Sequence, residues 1–146
     1  MTRTRRYSPV VTERRSRTLW DRAALVAFPV YWIALFAATH YPRVPLPGEL
    51  PQGDKLVHFA AFGVLAFLFW HFVRARRPLG DRFAWVSGIS LVAYAAFDEY
   101  LQQFVGRHTD PMDFAANTAG IVCILAILEL SRRRRHRART KASARS

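Results

Sequence analysis

A single cysteine, Cys123, stands in the whole chain. An internal disulfide is therefore excluded, and its place inside an apolar run makes it a small packing residue. Acidic residues are scarce too: ten, against twenty-two lysines and arginines, for a formal net charge of +12. So basic a chain raises nucleic acid as a partner. The distribution argues against it, because the arginines sit mainly in two tails and one loop beside long apolar runs, as cytoplasmic membrane flanks do. No internal repeat is visible, and no His-Glu-x-x-His motif occurs. The first absence counts against the repeated halves of a transporter. The second leaves scattered histidines and acids without metal-ligand spacing, so no metal and no cofactor are expected. Ser87, Ser90, Thr109 and Thr118 lack an evident activating neighbour, so no nucleophile stands out.

What the chain does have is apolar residues, 51% of it, gathered in four blocks. Residues 1–22 are Arg-rich and without apolar periodicity, which reads as a disordered arm. Ala23–Tyr41 is the first block, nineteen residues or roughly 28 Å as a helix, close to the hydrocarbon thickness. Pro29 is expected to kink it. A weak cleavage site and a long run favour a retained helix over a signal peptide. A proline-rich loop from Pro42 to Gly53 follows, then a second helix over Asp54–Val73 with Asp54 as its N-cap. The third helix spans Phe83–Val105. Asp110-Pro111-Met112-Asp113 is a helix start, with an acid cap and proline in first position. The fourth helix spans Phe114–Leu130, and residues 131–146 form a second basic tail. The expected fold is an all-α, polytopic membrane protein: a four-transmembrane-helix bundle over 23–130 with basic, disordered termini.

Arg and Lys also set the orientation. They crowd the two tails and the loop carrying Arg74, Arg76, Arg77 and Arg82, while the other loops hold few. The positive-inside rule then places both termini in the cytoplasm. Counted from that side, His58, Asp98 and Asn117 each lie roughly 20–22 Å up three different helices. Glu99, Gln102, Arg107, Asp110 and Asp113 lie at or above that height. Polar groups at membrane depth turn inward, which predicts a shallow polar pocket opening outward. Four-residue spacings support it: Asp54 with His58, Asp98 with Gln102, Asp113 with Asn117.

Adjacent on one helix, Asp98 and Glu99 point about 100° apart. One is expected to line the pocket while the other pairs with Arg107 or Lys55. His58, with Asp98 or Glu99, is the candidate acid or base. Arg107 is either an anion clamp or an ion-pair partner. Asp110 reads as a cap, and Asp113 either as a helix-start acid or as a neighbour of Asn117 on one face. His71 and His108 look peripheral, and His40 falls in a loop. Glu129 should pair with the arginines that follow it.

The pattern Asp54-Lys55-x-x-His58, then Asp98-Glu99-x-x-Gln102, then Arg107-x-x-Asp110-x-x-Asp113-x-x-Ala116-Asn117-x-x-Gly120 resembles the VanZ-like membrane proteins, over about residues 54–128. The resemblance implies a bacterial inner-membrane protein of a few helices, in a family whose named member is associated with low-level teicoplanin resistance. It makes Asp54, Lys55, His58, Asp98, Glu99, Gln102, Arg107, Asp113 and Asn117 the motif residues. The partner expected on this reading is a membrane lipid, a lipid-linked cell-wall precursor or an amphiphilic antibiotic. A membrane-embedded hydrolase or transferase acting on a lipid head group is one alternative. A small transporter, which would need a homo-oligomer, is another.

Overall fold

Four helices account for nearly all of the structure, a computed structural model that describes residues 19–41, 51–106 and 110–144. Helix α1 is Leu19–Thr39, α2 is Pro51–Arg76, α3 is Phe83–Gln102 and α4 is Pro111–Ser143. A single 3₁₀ turn, Gln103–Val105, ends α3. Gly106 follows it at φ +75°, a left-handed conformation that glycine adopts without penalty and that turns the chain toward α4. No strand occurs among the described residues. Helices α1, α2 and α4 are long and apolar enough to cross a membrane. Helix α3 has 20 residues, but Asp98, Glu99 and Gln102 at its end lower its apolar character.

Helix α1 begins at Leu19, inside the arm expected to be disordered, and α3 ends at Gln102 instead of Val105, and two further boundaries differ with more consequence. Helix α2 begins at Pro51, so Asp54 lies inside the first turn and does not cap it. A proline's fixed φ and missing N–H suit it to that opening position. Helix α4 continues to Ser143, so the C-terminal tail read as disordered is helical over most of its length. Local pairing explains part of this: Glu129 accepts hydrogen bonds from Arg132 and Arg133, three and four residues on. Helix α1 runs through Pro29 without interruption. The N-terminal arm lies mostly outside the described residues.

Helices α2 and α4 form the most extensive pair, with α1 packed on α2 and α3 on α4. Phe62, Leu65, Ala66 and Trp70 of α2 meet Ile121 and Leu125 of α4 and Leu91 and Ala95 of α3. Gly120 sets the closeness of the central pair, because a Cβ there would fall on the Phe59 carbonyl. Small residues at such crossings let two backbones approach in a membrane. The outward faces are apolar: Val26, Val30 and Ile33 on α1, Ile89 and Phe97 on α3, Val122 and Ile127 on α4. Asp98 and Asn117, by contrast, have no exposed surface. Apolar outside and polar within is the arrangement that lipid selects.

Candidate functional site

The polar residues gather where α1 and α3 end and α2 and α4 begin. His58, Asp98, Glu99, Gln102, Asp113 and Asn117 are all buried there. Every motif residue the sequence singled out belongs to this end of the bundle except Arg107, which lies outside the described residues. The cluster divides into two neighbouring parts.

The first part is built from α2 and α4. Asp54 and His58, four residues apart, share one face of α2. His58 Nδ1 lies 3.1 Å from Asn117 Oδ1. With that bond donated by the ring, Nε2 turns to two carboxylates, at 3.8 Å from Asp54 Oδ1 and 3.6 Å from Asp113 Oδ2. The other oxygen of Asp113 accepts from Lys55 Nζ at 3.2 Å. The same ammonium donates to Asp110 at 2.7 Å. Lys55 is thus held by two carboxylates of α4, not by Asp98 or Glu99 as one reading of the sequence had it. Asp110 caps α4 as expected, accepting from the Met112 N–H at 2.8 Å. The Lys55 ammonium, with the Met112 N–H, holds the Asp110 carboxyl below the usual carboxylate range.

The second part centres on Asp98. Its Oδ1 accepts from Thr39 at 3.1 Å and its Oδ2 from Gln102 at 3.1 Å. His40 Nδ1 stands 3.8 Å from the same carboxylate, its ring stacked on Phe36. Asp98 therefore ties α3 to α1. Glu99 points the other way, and its Oε1 accepts the Asp110 backbone N–H at 2.9 Å. The adjacent acids do diverge, each reaching a different helix. Glu99 Oε2 and Asn117 Nδ2 are buried with no hydrogen-bond partner among the described residues.

Sequence reasoning missed Thr39 and His40, taken as the end of an apolar run and a loop residue. Their place at the same end as Asp98 was the only signal. It also missed a buried pair at the opposite end: His71 Nδ1 lies 2.9 Å from Asp21 Oδ1, with Arg74 Nε 3.3 Å from Asp21 Oδ2. Asp21 falls in the stretch whose composition reads as a disordered arm, and nothing in the spacing marks His71 as its partner.

The described cluster holds donors and acceptors for a polar ligand, a histidine flanked by acids for proton transfer, and one group of three possible metal ligands, Asp54, His58 and Asp113. No hydroxyl or thiol nucleophile is placed against His58 among the described hydrogen bonds. Neither a curated protein nor a solved structure matches the chain. A family model does, described as VanZ/LLP1 and covering residues 4–132. That span takes in all four apolar blocks and every motif residue of the cluster, and the chain belongs to the VanZ/LLP1 family.

Proposed function

We propose that this chain is an inner-membrane protein of the bacterial cell envelope whose polar end binds the head group of a lipid-linked or amphiphilic molecule. One observation carries the reading: six polar or ionisable side chains from three helices, each less than a tenth exposed, converge at one end of an apolar bundle. Such groups are costly to place among membrane helices, and holding helices together does not require so many of them. The positive-inside rule puts that end outward, with both termini in the cytoplasm and four helices across the bilayer. Gln102 and Asn117 supply hydrogen bonds to the head group. Arg107, together with Lys55, supplies charge for its anionic part. Within the family setting, a contribution to teicoplanin resistance follows from binding such a molecule at the outer surface.

The test is purification from membranes followed by mass spectrometry of co-purifying lipid. The wild type should carry a defined anionic lipid, and Arg107→Ala should lose most of it. Identical bulk-lipid profiles for both would remove the reading. Deletion should raise teicoplanin susceptibility or weaken the envelope. No change in either would separate this chain from the resistance role.

A second reading is favoured by the pairing of His58 with Asp54 and Asp113: a membrane-embedded hydrolase or transferase acting on a lipid head group. Here His58 moves the proton and an acid orients it. Loss of turnover in His58→Ala and Glu99→Gln, with normal membrane insertion, would establish it. Wild-type turnover in both would end it.

A further inference from the structure

We propose that Asp54, His58 and Asp113 form a binding site for a divalent transition-metal ion of the zinc type. One donor atom from each lies within 4.8 Å of the other two. Two of the ligands come from one face of α2 and the third from the first turn of α4, so the pairing of those helices assembles the site.

Three observations point to a cation there. The first is the separation of the donor atoms. His58 Nε2 stands 3.6 and 3.8 Å from the two carboxylate oxygens. These gaps are too long for hydrogen bonds. Ligand atoms around an ion with bonds of about 2.0–2.2 Å lie roughly 3–4 Å apart, and both gaps from His58 fall in that range. The second is the ring's orientation. With its proton on Nδ1 alone, donated to Asn117 Oδ1, the ring presents Nε2 to two carboxylate oxygens, an arrangement that a cation between them stabilises. Donation from the far ring nitrogen to a carbonyl oxygen is also how metal-bound histidines are commonly held.

The third observation lies outside the three ligands. Glu99 is 7% exposed, and its Oε2 has no hydrogen-bond partner among the described residues. The negative charges of Asp113 and Asp98 act on it. An ionised carboxylate with a buried oxygen that lacks a donor, beside other acids, is stabilised by positive charge close by. An ion held by Asp54, His58 and Asp113 supplies that charge, and Lys55 is already engaged with Asp110 and Asp113.

An imidazole with two carboxylates suits zinc and its neighbours, whereas magnesium and calcium take oxygen ligands alone. Three protein ligands leave at least one position open. That position would take an anionic oxygen, such as a phosphate oxygen, from the head group. This role rests on the binding reading given above, whereas the ion itself does not.

The experiment uses the full chain purified in detergent without chelator, incubated with Zn²⁺ and desalted. Metal is then counted by plasma mass spectrometry. The wild type should hold about one equivalent. His58→Ala and Asp113→Asn should hold little. Asn117→Ala, which removes only the ring's outer partner, should bind roughly 10–100-fold more weakly. His71→Ala, at the opposite end, should bind as the wild type does. Co²⁺ replaces Zn²⁺ in a parallel sample of the wild type alone, where visible absorption bands report ordered ligation without any variant needing to fold. Absence of both stoichiometric zinc and cobalt bands in the wild type would overturn the proposal. So would equal zinc in wild type, His58→Ala and Asp113→Asn. Lipid analysis of the same samples separates the two ideas. Metal without a defined lipid keeps the ion and removes the head-group reading. Lipid without metal does the reverse.

Discussion

His58 Nδ1 and Asn117 Oδ1, 3.1 Å apart, join α2 to α4 through a buried polar bond. These are also the two helices that pack most extensively on one another. The bond orients the ring, so its loss should affect both packing and chemistry.

Asn117→Leu removes the acceptor and leaves the His58 N–H buried without one. The expected cost is about 1–3 kcal/mol, read as a lowered thermal midpoint in detergent. A double variant, His58→Leu with Asn117→Leu, removes both partners and should recover much of the loss. Equal destabilisation of the single and double variants would show that the bond does not couple the two helices.

Gly120 should tolerate no side chain. A Cβ at that position meets the Phe59 carbonyl, which is backbone and cannot swing aside. Gly120→Ala is therefore expected to push α2 from α4 and cost about 1–3 kcal/mol, the usual range for overpacking. Gly88 is the internal control. A Cβ there meets only Leu125 Cδ1 at 3.7 Å, an ordinary contact. Gly88→Ala should be neutral or slightly stabilising, since alanine is the better helix former. Thermal unfolding of the two variants side by side decides the matter.

Much of this arrangement was legible in the sequence, for identifiable reasons. Long apolar runs announce helices, so four could be placed, to within a few residues except at the C-terminal end of α4. Asp98, Glu99 and Asn117 stood out because acids and amides are rare in apolar runs. The helix start at Asp110-Pro111 was legible because its cap and proline act locally. Partners across helices were not. Nothing in the spacing says that Lys55 bonds Asp110 and Asp113 and not Glu99, or that Thr39 reaches Asp98, because those contacts depend on helix rotation and crossing. The helical tail beyond Leu130 was missed for a different reason. A run of arginines suggests self-repulsion, but the anchoring of Arg132 and Arg133 on Glu129 appears only once the helix exists.

The Lys55–Asp110 pair gives a pH dependence whose sign can be worked out. Asp110 titrates below an ordinary carboxylate in the folded chain, chiefly because Lys55 donates to it and secondarily because Met112 N–H does. Its contribution is therefore complete above the unfolded value of about 3.9. The contribution is lost as pH falls through the lower folded value. Lys55→Met removes the larger cause, so the Asp110 titration should move up toward the ordinary carboxylate range. Carbon-detected NMR of the side-chain carboxyl, with pH lowered from 6, measures both titrations. Identical midpoints in the wild type and Lys55→Met would mean that the ion pair does not hold this acid.

At the opposite end of the bundle, Asp21 is 2% exposed and lies against His71 and Arg74. It ties the first turn of α1 to the last turns of α2, near the basic loop that the charge pattern assigns to the cytoplasm. Asp21→Ala leaves His71 and the partly buried Arg74 without that carboxylate. Removing one partner from a buried pair costs about 3–5 kcal/mol, largely because the other is left unpaired. Asp21→Ala should therefore lower the thermal midpoint more than Asn117→Leu does. His71→Leu should do less harm, since Arg74 remains to pair with the acid. Neither change should alter ligand retention at the other end, measured by mass spectrometry on protein kept below its unfolding temperature. A loss of ligand in Asp21→Ala under those conditions would mean that the two ends are coupled through α1, whose last turn carries Thr39 to Asp98.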